Sequence, residues 1–91
     1  MIKGFKCKKT ERLFHGFPVP AFSGVKRQAE KRLRILDASE TLAALRTLPS
    51  NRFEALSGDR MGSYSIRVNM QWRVYFKWDE GAHEVEIVDY H

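Results

Sequence analysis

Ser63-Tyr64-Ser65-Ile66-Arg67-Val68-Asn69, followed after one residue by Gln71-Trp72-Arg73-Val74-Tyr75-Phe76-Lys77-Trp78, decides the fold. Both runs alternate. Tyr64, Ile66 and Val68 oppose Ser65, Arg67 and Asn69, and Trp72, Val74, Phe76 and Trp78 oppose Arg73, Tyr75 and Lys77. Period-two alternation is the mark of a strand with one face buried. Asn69-Met70 predicts a tight connection and Asp79-Glu80-Gly81 a turn. Val85-Glu86-Ile87-Val88 then reads as a third strand, giving an antiparallel meander whose apolar face needs cover.

That cover lies upstream. Phe22, Val25, Ala29, Leu33 and Leu36 recur at helical spacing and predict an amphipathic helix over Phe22–Ala38. Its remaining face carries Lys26, Arg27, Lys31, Arg32 and Arg34, which suits either plain solvation or docking on RNA. Ser39 is a candidate cap for a second helix that buries Leu42, Leu45 and Leu48, ended by Pro49-Ser50-Asn51. Earlier still, Ile2–Cys7 predicts a short strand and Thr10–His15 a short helix closed by Gly16. Phe17-Pro18-Val19-Pro20 must be extended, because each proline moves its predecessor out of the helical region. The expected class is α+β, a small, predominantly antiparallel sheet with two to three helices on one face.

The chain has 91 residues, which predicts one domain over 1–91. No apolar run approaches the roughly 20 residues that cross a bilayer, and the N-terminus lacks a secretion signal, so a membrane role is not expected. A single cysteine, Cys7, fits a reducing cytoplasm. The balance of 16 Lys and Arg against 11 Asp and Glu gives +5, which favours either a polyanionic or an acidic protein partner.

The sheet face away from the helices carries the chemistry. Arg67 and Arg73 fall together there across the hairpin, and adjacent guanidinium groups call for an anion between them, phosphate above all. The alternative is pairing with Glu84 or Glu86. Tyr75 and Lys77 extend this face, and Tyr90 joins it by alternation with Glu84 and Glu86. Asp89-Tyr90-His91 is either a polar tail or a group of proton-handling side chains carried by the strand. Glu54 precedes the turn Ser57-Gly58-Asp59-Arg60, where Arg60 adds a further phosphate-binding candidate. A carboxylate and an imidazole suffice for RNA cleavage without metal. One takes the 2′-hydroxyl proton, the alkoxide attacks phosphorus, and the other protonates the departing 5′-oxygen. His15, His83 and His91 lack ligand-like spacing, so no metal or other cofactor is expected.

Leu56-Ser57-Gly58-Asp59-Arg60, Tyr64-Ser65-Ile66-Arg67-Val68-Asn69, Trp72-Arg73-Val74 and the final Asp89-Tyr90-His91, in this order, resemble the HigB toxins of the RelE superfamily. The resemblance covers essentially the whole chain. It implies a ribosome-dependent endoribonuclease that cuts mRNA in the decoding site and arrests translation. It also implies a HigA-like antitoxin with a helix-turn-helix domain, operator DNA being reached only through that antitoxin. The family's catalytic positions fall on Arg73, Asp89, Tyr90 and His91, and a superfamily phosphate-binding position falls on Arg67. Where some members carry a catalytic His before the Gly-Asp-Arg turn, this chain has Glu54, which can itself act as a general base. Ser57 replaces a basic residue of the turn. The superfamily also holds ParE-like poisons of DNA gyrase, which need no terminal imidazole, and a third reading is an inactive or weakly active RNA-binding or regulatory relative.

Replacing His91 with Gln should relieve growth arrest on induction. The stability of the purified variant, read by chemical denaturation, should change by less than about 1 kcal/mol, the scale of a surface substitution, because a terminal position is expected to have little packing to lose.

Overall fold

The sheet runs β1 (Glu54–Ala55), β2 (Ser63–Arg67), β3 (Trp72–Trp78) and β4 (Ala82–Asp89), every neighbouring pair antiparallel and in chain order. The computed structural model that shows this describes residues 1–90. The expected meander is therefore present, with the short β1 added at one edge and the last strand starting at Ala82 rather than Val85. Arg67 and Arg73 are register partners, which puts them on one face, as the alternation requires. The hairpin between them is wider than an Asn69-Met70 turn, because the strands end at Arg67 and resume at Trp72. Asn69 builds it. Its Oδ1 accepts from the backbone N–H groups of Gln71 and Trp72, each at 2.8 Å, the local bonding that suits Asn to turns.

One irregularity matters downstream. Tyr75 pairs with Glu86 and Lys77 with His83, so Phe76 alone faces two residues, Glu84 and Val85. This is a β-bulge, with Glu84 in the left-handed region at φ 50°. Glu84 leaves the alternation, and Glu86 and Val88 rather than Glu84 fix the side on which Tyr90 emerges.

The helices are α1 (Lys8–Phe14), α2 (Lys26–Ala38) and α3 (Leu42–Thr47). The helix expected over Phe22–Ala38 divides. Pro20–Val25 forms a 3₁₀ turn, and the α-helix begins only at Lys26, after Val25 at φ −131°. The apolar side survives the break, with Phe22, Ala29, Leu33 and Leu36 all buried. Ser39 does not cap the next helix. Its hydroxyl donates to the Ile35 carbonyl at 2.8 Å and closes α2, while Thr41 Oγ1 accepts from Ala44 N at 3.1 Å and caps α3. Leu48 is not a core residue, because Pro49 holds it extended at ψ 104° and so outside the helix.

The N-terminal strand reduces to two isolated parallel bridges, Ile2 to Ala82 and Phe5 to Val85. They run along the free edge of β4, and the buried Thr10 hydroxyl accepts from Ile87 N at 3.0 Å further along the same edge. Unpaired strand edges invite pairing with other chains, and here the chain covers its own. The core joins Leu13, Leu33, Leu36 and Leu45 from the helices to Ile66, Val74, Phe76 and Val85 from the sheet, leaving the opposite sheet face uncovered by helix.

The edge contact leaves no room at Gly81. Its φ is +151°, and a Cβ there would meet the Met1 carbonyl oxygen at 2.7 Å. Gly81→Ala should cost about 1–3 kcal/mol, the scale of local backbone strain, measured as a lowered denaturation midpoint.

Candidate functional site

Arg73 stands at the centre of the open face, yet it is only 5% exposed. Its Nε donates to Ser65 Oγ at 2.8 Å, and its Nη2 donates to the Arg52 carbonyl and, at 3.5 Å, to the Ser65 carbonyl. Arg52 can offer that oxygen because it is left-handed at φ 44°, closing the 3₁₀ turn Pro49–Asn51 just before β1. The turn is held by Arg32 of α2, whose Nη1 donates to Asn51 Oδ1 at 2.9 Å and to Ser50 Oγ at 3.2 Å. The Tyr90 ring lies against the Arg73 guanidinium, 5.6 Å from carbon to ring centroid. Such a contact favours a cation over an aromatic face. The bonds named use Nε and Nη2, so the two N–H groups on Nη1 remain for other acceptors.

Around Arg73 the surface dips into a depression of about 230 Å³ lined by Arg52, Glu54, Arg67, Asn69, Met70, Arg73 and Tyr90. Four of the residues singled out from sequence, Glu54, Arg67, Arg73 and Tyr90, thus share one concavity. Glu54 reaches it from β1, where it pairs in register with Ser65. Positive charge is concentrated at this end of the sheet. Burial, and then the charge of Arg67, hold the Arg32 guanidinium below its ordinary pKa.

The remaining candidates lie elsewhere. Arg60 and Lys77 line a neighbouring depression of about 370 Å³ with Lys6, Tyr75, Glu84 and Glu86. There Arg60 stacks on the Tyr75 ring at 4.7 Å and pairs with Glu86 at 3.6 Å, while Lys77 pairs with Glu84 at 3.5 Å. Glu84 and Glu86 therefore serve these cations and not Arg67 or Arg73. Asp89 pairs in register with Trp72, which by alternation puts it on the side of the sheet opposite Arg73 and Tyr90; its Oδ2 accepts from Gln71 Nε2 at 3.2 Å. His91 lies outside the described residues.

Sequence reasoning missed Arg52, Ser65, Asn69 and Met70 as parts of the site. Ser65 was recoverable, since it shares the face of Arg67 one step along β2. Arg52 was not, because its contribution is a carbonyl oxygen, which every residue has.

A family profile described as "RelE-like toxin of type II toxin-antitoxin system HigB" matches residues 5–91. This chain belongs to the HigB-like toxins. It is 33% identical over 96 aligned positions, the full length of both proteins, to "Endoribonuclease HigB" of Proteus vulgaris. It is 43% identical over 60 residues to "Toxin HigB-1" of Vibrio cholerae, covering 66% of this chain and 63% of that one. As a HigB-like toxin of a type II system, it has an antitoxin as its counterpart.

In this HigB-like toxin Arg73→Ala would leave Ser65 Oγ and the Arg52 carbonyl without their shared donor. Stability should fall by about 1–3 kcal/mol, the cost of stranding buried polar groups, as read by urea denaturation.

Proposed function

We propose that this HigB-like toxin is an endoribonuclease that cuts mRNA on the ribosome, in the cytoplasm, by attack of the ribose 2′-hydroxyl on the adjacent phosphodiester. The observation that carries the reading is the depression shared by Glu54, Arg67, Arg73 and Tyr90. It combines a carboxylate, two guanidinium groups and a phenol on a surface able to admit an extended strand. Arg67 and Arg73 hold the phosphate oxygens and offset the charge that builds on them in the transition state. One of Glu54 and His91 takes the 2′-hydroxyl proton. The oxygen bonds to phosphorus, the bond to the 5′-oxygen breaks, and the other group returns a proton to that oxygen. Tyr90 donates a hydrogen bond or packs against a base. Arg60 and Lys77 meet the phosphates further along, once their ion pairs open. The step balances without a metal ion.

The ribosome supplies what so small a surface lacks. Bringing the 2′-oxygen, phosphorus and leaving oxygen into line is an entropic task, and a held mRNA has already met it. The basic outer face of α2 offers ribosomal RNA a set of phosphate contacts. A HigA-like antitoxin is the cognate inhibitor in this reading. Within the family, the segment Glu54-Ala55-Leu56-Ser57-Gly58 supports a likeness to the toxin GraT, which shares a Glu-x-Leu-Ser-Gly segment.

Purified protein added to a translating extract, with mRNA ends mapped, should generate new 5′ ends that are absent when the same mRNA is treated without ribosomes. Equal cutting of free RNA would overturn ribosome dependence alone. No cutting in either case, with DNA breaks in induced cells, would replace this reading with that of a gyrase poison.

A further inference from the structure

Met70 is 86% exposed at the apex of the β2–β3 hairpin, and it lines the same depression as Arg67, Arg73 and Tyr90. A turn apex ordinarily carries Gly, Asn, Asp, Ser or Pro, for which there are local reasons. Methionine has none, and its exposed side chain adds little to the core. The apex is nonetheless firmly held. Asn69 Oδ1 ties the backbone on its far side through Gln71 and Trp72, and Asn69 Nδ2 reaches Gln28 Oε1 of α2 at 3.5 Å. A flexible, polarizable side chain is thus presented from a fixed backbone at the rim of a cationic hollow.

The size of that hollow says what the rim meets. At about 230 Å³ it is smaller than the roughly 300–1,000 Å³ of pockets that enclose a whole organic ligand. A phosphate and part of a ribose fit; the attached base must lie at the edge. Two apolar surfaces wait there, the Met70 thioether and the Tyr90 ring, the latter 44% exposed. Bases splayed from single-stranded RNA are bound on such faces, and sulfur packs favourably against aromatic rings.

We propose that Met70 is a base-contacting residue of this site, packing with Tyr90 against the nucleobase next to the phosphate held by Arg67 and Arg73. The inference rests on the nuclease reading above. Because stacking strength differs among bases, the contact biases which base lies at the cut as well as tightening binding.

The test compares wild type, Met70→Ala and Met70→Leu in the translating extract. The toxin concentration for half-maximal cleavage is measured and the base at each mapped cut is tallied. Met70→Ala should raise that concentration about two- to tenfold, the range of a lost sulfur–aromatic contact, and flatten the distribution of bases at the cut. Its thermal midpoint should not move. Met70→Leu, apolar and of similar reach but without the sulfur, should fall between the two in both properties. A Met70→Ala protein with wild-type half-maximal concentration and wild-type cut sites overturns the inference and leaves the nuclease reading intact. A variant altered only in its inhibition by the antitoxin also overturns it, making Met70 an antitoxin contact. Wild type that cuts nothing overturns both.

Discussion

A guanidinium buried, among the described residues, without a carboxylate partner is the constraint around which the open face is organised. Arg73 is held by a hydroxyl, two carbonyl oxygens and an aromatic ring, drawn from Ser65 of β2, from Arg52 two residues before β1, and from Tyr90 just past β4. Neutral dipoles make burial of the charge tolerable, but they do not cancel it. Because the described residues supply no counterion in these contacts, the field of Arg73 remains available at the surface. An anion approaching the depression meets a cation whose position was fixed before it arrived, the condition under which electrostatic stabilisation costs no reorganisation.

The same face divides into two electrostatic halves. Toward the β2–β3 hairpin lie Arg52, Arg67 and Arg73, together with Arg32, whose pKa is lowered by burial and then by the charge of Arg67. Toward the other end, Lys6 and Arg60 share Glu86, and Lys77 and His83 share Glu84. The first half is cationic, and in the second the cations are paired with glutamates. A negatively charged strand lying across the sheet would thus be gripped most firmly at the hairpin end, and would have to displace glutamates to be held at the other. This division also explains how a chain of net charge +5 keeps its field directional instead of spread over its surface.

Much of this was legible in the sequence, for a physical reason. Strand parity has period two, so the partition of Tyr64, Ile66 and Val68 from Ser65 and Arg67 was fixed by side-chain type alone, and with it the pairing of Arg67 and Arg73. Depth was not legible. Parity assigns Arg73 to a face but says nothing of what covers it, and its burial depends on a left-handed backbone at Arg52, 21 residues upstream. Helix boundaries failed where two signals competed. Ser39 and Thr41 both suit a cap, and only the geometry of the connection selects Thr41. The periodicity of Phe22–Ala38 continued through a change of helix type because the buried side is the same on either side of the break. Asp89 follows the rule of strand parity, since alternation puts it on the side of the sheet opposite Tyr90 although the two are neighbours in sequence.

The bulge at Glu84 gives the last strand a tolerance its neighbours lack. In β2 and β3 a gained or lost residue would rotate everything beyond it by half a turn and exchange core for surface. In β4 the Phe76 position already spans two residues, so the ladder can absorb one there and resume in register at Glu86. The segment between the Gly81 turn and the bulge is thereby uncoupled from the segment that carries Tyr90. Length variation near Ala82–Val85 becomes a matter of edge packing against the N-terminal residues, and the side on which the phenol emerges is insulated from it.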